Sequence, residues 1–145
     1  MNLPDSGPVL VSACLCGLPC RYNGKVEALP AALDLVRQGR AIPVCPEQLG
    51  GLPTPRMPIE LRHGRAFAKD GSDVTDLVLR GVAAAADLAG LAGCRAALLQ
   101  VRSPTCGIGR IYDGTFSGAL IPGDGLLAGR LRAMGLDLIA SGDAG

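Results

Sequence analysis

The sequence predicts a single-domain α/β fold: a parallel, Rossmann-like sheet in three layers, with helices on both faces and cysteines at the C-terminal edge of the strands. Three observations carry that expectation. Short apolar runs alternate with helical segments, the pattern of parallel βαβ units. A length of 145 residues with 48% hydrophobic side chains suits one core and one domain spanning 1–145, with residues 1–7 loosely ordered. Finally, Cys14, Cys45 and Cys106 each follow a predicted strand, and the carboxyl edge of an open parallel sheet is where ligands bind.

The elements follow in order. Val9 to Ala13 is a short apolar run ending at Cys14 and a Gly/Pro loop, as for a buried strand. Pro30 to Gln38 carries Leu33, Leu35 and Val36 at helical spacing, with Gly39 as the stop. Ala41 to Cys45 is a second strand, and Pro46 to Pro58 is too broken by Pro and Gly for regular structure. Ile59 to Lys69 has the form of a hairpin turning at His63-Gly64. Ser72 or Asp73 caps a helix from about Val74 to Leu91, whose Ala-rich middle favours that state. Ala96 to Val101 is a third strand, followed by a Gly-rich loop through Gly118. A helix near Leu126 to Met134 and a strand at Leu136 to Ala140 complete the chain.

Composition excludes several functions. Fourteen basic side chains nearly cancel thirteen acidic ones, so a polyanion-binding surface of clustered Lys and Arg is not expected. Aromatics are 3% with no Trp, too few for a stacking platform on single-stranded nucleic acid. No basic segment with a following apolar run opens the chain, and no uninterrupted apolar stretch is long enough to span a membrane. The expected location is cytoplasmic, where thiols stay reduced and six cysteines point to metal or catalysis rather than disulfides.

Cys94 lies in an Ala/Leu-rich stretch and reads as a small buried hydrophobe. The others follow C-x-C-x3-C spacing and then long gaps, with no paired CxxC knuckles of a zinc ribbon. Three converging thiolates without imidazole suit a soft metal or an iron–sulfur cluster. Three protein ligands on a cubane leave one iron open as a Lewis acid, while Cys20 is available as a fourth. Glu47, two residues after Cys45, is a candidate acid/base, and Ser103, three before Cys106, a candidate proton relay. A solvated loop charge and a turn cap are their bland alternatives. Arg56 and Arg102 are candidates for holding an anionic substrate edge or countering cluster charge, or are surface arginines. His63, the single imidazole, reads as a surface turn residue. Gly107-x-Gly109 and Gly123-Asp124-Gly125 resemble fragments of phosphate loops but match no complete fingerprint.

Longer strings carry a resemblance. Val11-Ser12-Ala13-Cys14-Leu15 with Cys20-Arg21-Tyr22-Asn23-Gly24, the run Cys45 to Arg56, and Ser103-Pro104-Thr105-Cys106-Gly107 resemble the signatures of the thiouracil desulfurase family, and Ile111 to Phe116 continues the match. The resemblance implies a [4Fe-4S] cluster held by Cys14, Cys45 and Cys106, with Glu47 and Ser103 at the catalytic acidic and hydroxyl positions. It implies non-redox conversion of a thiolated nucleobase or nucleoside to uracil and sulfide, and transient dependence on the iron–sulfur assembly machinery. No nucleic-acid polymer or membrane is implied as a partner. The chain departs from the family pattern at Cys16, where an apolar residue is usual, at Asn23, where Asp is common, and at Gly142 after Ser141. Two other chemistries use the same thiols: a non-catalytic zinc module on Cys14, Cys20, Cys45 and Cys106, and a persulfide transferase working through Cys16 or Cys20.

Overall fold

A computed structural model of the chain describes residues 2–142. The chain runs β1 (Val9–Ser12), a 3-10 turn (Ala13–Cys16), α1 (Pro30–Arg37), β2 (Ala41–Val44) and α2 (Pro46–Leu49). It continues through β3 (Ile59–Arg62), β4 (Arg65–Ala68), α3 (Thr75–Ala92), β5 (Ala96–Leu99), β6 (Arg110–Tyr112), β7 (Leu120–Pro122), α4 (Leu126–Ala133) and β8 (Asp137–Ala140).

A parallel four-stranded sheet in the order β2-β1-β5-β8 forms the middle layer. Alternation along the strands sends side chains to opposite faces. Val9 and Val11 meet Leu98, Ile139 and the α1 residues Ala32 and Leu35 on one face. Leu10, Ala97, Leu99 and Leu138 meet α3 and α4 on the other. β1, one of the two strands flanked on both edges, is fully apolar at Val9-Leu10-Val11 because both of its faces are covered. Burying each of those side chains contributes about 1.5–3 kcal/mol. The expected three layers with helices on both faces are present, one helix on one face and two on the other.

Three local expectations need correction. The first strand ends at Ser12, and Ala13 and Cys14 belong to a 3-10 turn that closes on Gly17. Residues 46–58 hold regular structure after all: Pro46 occupies the first turn of α2, where a fixed φ and a missing N–H do no harm. The loop after β5 contains the β6–β7 hairpin, whose three-residue strands bury only Ile111 and so show no alternation to read. The β3–β4 hairpin turns at His63-Gly64 as expected, and His63 sits exposed in that turn with φ 52°. The Gly pairs bond to each other instead of forming a phosphate loop: Gly125 N donates to Gly107 O, and Asp124 accepts from Gly109 N and Arg132 Nε.

The segment expected to be loose carries contacts of its own. Leu3 packs on the α1 side of the core, and Arg40 donates to Pro4 O at 2.6 Å and Gly7 O at 2.9 Å. Met1 lies outside the described residues. No helix among the described residues is long and apolar enough to cross a membrane.

The short α2 lies directly on α3, and two glycines allow it. A Cβ on Gly81 would stand 1.6 Å from Pro46 O, and one on Gly50 would stand 1.9 Å from Leu77 O. Backbone therefore touches backbone where α2 leaves the sheet edge, immediately after Cys45. Gly81→Ala is expected to lower the unfolding free energy by about 3 kcal/mol in urea, as overpacking against a rigid carbonyl does. Gly90→Ala, in the same helix but with only the flexible end of Met134 at 3.9 Å, is expected to be neutral or stabilising by about 0.5–1 kcal/mol. Equal effects of the two substitutions would contradict the close approach.

A candidate active site at the carboxyl edge of the sheet

The strand order reverses direction between β1 and β5, since β1 leads outward to β2 and the chain then crosses to β5 on the other side. Register puts the strand ends level there: Ser12 pairs with Val44, and Val11 with Leu98. Two serines extend the sheet past its last ladder bonds. Ser12 Oγ accepts from Gln100 N at 2.9 Å, and Ser141 Oγ accepts from Val101 N at 3.2 Å. The loops leaving these ends enclose a cavity of about 460 Å³, the size of small-molecule sites.

Cys14, Cys20, Cys45 and Cys106 all line this cavity. They arrive from both sides of the sheet: Cys14 and Cys20 are part of the core on the α1 face, Cys106 of the core on the α3 face. The thiols crowd one another. The Cys20 thiol is pushed up to about 11, chiefly by its hydrogen bond with Cys14. Cys45 is raised, first by Cys20 and then by burial. Burial pushes Cys106 up to about 12, against the lowering effect of hydrogen bonds from the Ser12 and Thr105 hydroxyls. Cys16 is only partly buried and Cys94 sits in the core; neither lines the cavity.

The donor set fits an iron–sulfur group. Thiols that oppose each other's ionisation in this way are deprotonated outright by a coordinated cation. Among the described residues, no three His, Cys, Asp or Glu side chains are gathered to hold a single metal ion. Thiols set around a larger cavity suit a polynuclear group, whose separate irons take separate thiolates. A one-zinc site on Cys14, Cys20, Cys45 and Cys106 finds no such support.

Glu47 is buried, at 8% exposure, and so is not a solvated loop charge. It sits in α2, with Pro46 ahead of it, and its Oε1 accepts from Arg56 Nε at 3.0 Å. Arg56 spends its other donors on two segments: Nη2 on Cys20 O at 2.9 Å, and, in its own loop, Nη1 on Thr54 Oγ1 at 2.9 Å and Pro53 O at 3.1 Å. It also reaches to 4.0 Å of Cys45 Sγ, and Cys45 Sγ donates to Cys20 O at 3.7 Å. A planar fork with five N–H donors is what this junction requires. Arg56 therefore fixes Glu47 and the two cysteine segments.

Ser103 does cap its turn, since Oγ accepts from Thr105 N at 3.1 Å and Cys106 N at 3.0 Å. With its lone pairs engaged, the hydroxyl proton is left to donate. Thr105 Oγ1 lies 3.1 Å from Ser103 Oγ, 3.4 Å from Glu47 Oε2 and 3.7 Å from Cys106 Sγ. A hydroxyl line thus runs from Ser103 through Thr105 to Glu47, all three lining the cavity. Close approach shapes this loop as well: a Cβ on Gly107 would meet Ser103 O at 2.6 Å, and one on Gly125 would meet Thr105 O at 2.5 Å. Arg102 turns the chain out of β5 with φ 63° and lines the cavity, with no ion pair among the described residues.

All the residues singled out from the sequence as ligands, acid/base, relay or substrate-holding groups reach this one cavity, with Cys20 beside them. His63 stays outside it. Sequence reasoning missed Thr105 and Ser12. The signal for Thr105 was available, a second hydroxyl adjacent to Cys106 in Ser-Pro-Thr-Cys; Ser12 gave none, being the last residue of an apolar strand.

An open parallel α/β sheet with a small-molecule cavity at its reversal point, lined by thiols and a buried Glu–Arg pair, defines an α/β protein that binds a ligand at its strand ends. Residues 9–143 match the family described as 2-thiouracil desulfurase, and the chain belongs to that family. It is similar to the Bacillus subtilis (strain 168) protein YbbK, described as uncharacterized, with 39% identity over 145 residues, covering 93% of this chain and 96% of that one. It is also similar to a solved structure described as the [4Fe-4S]-dependent thiouracil desulfidase TudS (DUF523Vcz). There the TM-score is 0.89 and the identity 40%, over 93% of this chain and 91% of that one.

The ion pair between Arg56 and Glu47 exposes only 6% and 11% of the two side chains, so removing one partner strands the other. Arg56→Met is expected to cost about 3–5 kcal/mol in urea denaturation, and the double variant Arg56→Met/Glu47→Leu much less than the sum. A double variant that loses the full sum would contradict the coupling.

Proposed function

We propose that the protein is an iron–sulfur-dependent thiouracil desulfurase that exchanges the thiocarbonyl sulfur of a thiolated pyrimidine for oxygen from water. The overall conversion, thiouracil plus water to uracil plus hydrogen sulfide, transfers no net electrons. The observation that carries this reading is the meeting of cysteines from three strand ends with a hydroxyl-linked Glu47 in one small cavity. Cys14, Cys45 and Cys106 would hold a [4Fe-4S] cluster, in agreement with the description of the similar TudS structure. When bound, such a cluster supplies an open, sulfur-seeking iron that polarises the C–S bond and stabilises the departing sulfide.

The chain's own residues manage the water and its protons. Glu47, held through Oε1 by Arg56, presents Oε2 toward the hydroxyl line and takes a proton from the attacking water. Thr105, with Ser103 donating to its Oγ1, takes the proton from Glu47 Oε2 and returns one to the sulfur as the bond to carbon breaks. Arg56 keeps the carboxylate from rotating away and offsets its charge in a poorly solvated site. The near balance of charge, fourteen basic against thirteen acidic side chains, favours a free base or nucleoside over a polymer.

Anaerobically reconstituted protein is expected to release sulfide from 2-thiouracil and to form uracil in equal amount. Glu47→Gln is expected to lower kcat by about 10²–10⁴-fold at unchanged iron content. Thr105→Val, which keeps the shape and removes the relay hydroxyl, is expected to lower kcat at least about tenfold with little change in KM. Full activity in Glu47→Gln would contradict its acid/base role, and iron-free protein with undiminished turnover would contradict the cluster.

A further inference from the structure

A second carboxylate faces the same cavity. Glu60 lies in β3, paired across the hairpin with Phe67, and is 9% exposed between the core residues Ile59 and Leu61. Its Oε1 accepts from Gly114 N and Phe116 N, both at 3.1 Å. These bonds dock the loop after β6 against β3, where Gly114, with φ 90°, brings its backbone within reach of Leu61. Oε2 has no protein donor among the described residues, and Glu60 belongs to no ion pair among them. Yet no fully buried side-chain oxygen among these residues lacks a partner, so Oε2 keeps accessible surface, and Glu60 lines the cavity with Tyr112 and Gly118.

The asymmetry with Glu47 is informative. Glu47 has a guanidinium against it and a hydroxyl line beside it. Glu60 has a loop on one oxygen, accessible surface on the other, and a place in the cavity wall. Docking the loop needs one acceptor and no charge, a task for glutamine as much as glutamate. A carboxylate oxygen held still in the wall of a small cavity is suited to a ligand N–H. A thiolated pyrimidine carries such donors on its ring nitrogens.

We propose that Glu60 is a specificity-determining residue whose Oε2 accepts a ring N–H of the substrate while Oε1 anchors the loop through Gly114 and Phe116. It rests on the desulfurase reading of the cavity. Glu60 thereby selects rings that carry an N–H at one position over rings alkylated there.

The test compares kcat/KM for 2-thiouracil with its N1-methyl and N3-methyl derivatives, using the reconstituted holoenzyme and its Glu60→Gln variant. Glutamine keeps its oxygen on the two loop amides, which turns its NH2 group to the cavity. Methylation at one of the two nitrogens is expected to cost the wild type about 10- to 100-fold and the variant less than about threefold. Amide exchange at Gly114 and Phe116 is expected to stay slow in the variant. Equal methylation penalties in both proteins, or none in the wild type, would overturn the proposal and leave Glu60 as a loop anchor. Should the glutamine variant fail to fold, the same ratios are read on Glu60→Asp, whose carboxylate is drawn back from the cavity, and the same outcomes decide. A wild type that releases no sulfide from 2-thiouracil itself overturns the reading of the site and this proposal with it, a failure distinct from unchanged selectivity.

Discussion

Cys14, Cys45 and Cys106 are distant in sequence, and the constraint that gathers them is the parallel register of β1 between β2 and β5. Because Ser12 stands level with Val44 and Val11 with Leu98, the three chains leave the sheet at one height and on one edge. The reversal of strand order opens a crevice there. Much of the polar lining of the site is attached to that edge. Ser12 and Ser141 prolong it, α2 starts directly from Cys45, and the Ser103–Gly107 turn closes over the exit of β5. A slip of one residue in β1 would exchange the buried faces of Val9, Leu10 and Val11 and move Cys14 away from Cys45.

A site made of thiols and two carboxylates also needs positive charge, and a single side chain supplies much of it. Arg56 joins Glu47, the Cys20 carbonyl and the neighbourhood of Cys45. Its role is accordingly different from that of Arg102, which stays without an ion pair on the cavity wall. The backbone contact of α2 on α3 at Gly50 and Gly81 holds the same segment from behind. Arg56 and these glycines together fix Glu47 in a place where a longer loop would leave it to wander. That rigidity is what acid/base catalysis requires of a carboxylate.

The sheet was legible because β1 and β5 are short runs buried on both faces, and the edge strands β2 and β8, though partly exposed, stay mostly apolar. The hairpin at His63-Gly64 was legible from its turn. The β6–β7 hairpin was not, since three residues per strand with one buried side chain leave no period to detect. Convergence of the cysteines followed from strand ends, and the place of Glu47 and Ser103 in the same cavity from their position beside them. Thr105 and Glu60 escaped for a different reason. Their importance lies in what they touch: Thr105 meets Glu47 across 58 positions, and Glu60 meets Gly114 across 54. The hydroxyl beside Cys106 marked Thr105 without its partner, and no local pattern announces the contact of Glu60. By sequence Arg56 is a candidate for an anionic substrate edge or for countering cluster charge, or a surface arginine; the structure buries it with its donors engaged on the protein itself.

Cluster ligation by the three strand-end cysteines is the central claim, and Cys20 is the thiol against which it must be judged, because it lies among them. Iron and labile sulfide per chain, measured anaerobically across single Cys→Ala variants, addresses it most directly. Cys14→Ala, Cys45→Ala and Cys106→Ala should each lose the cluster, while Cys20→Ala and Cys94→Ala should keep it. Loss of the cluster in Cys20→Ala with retention in any one of the three would contradict the account.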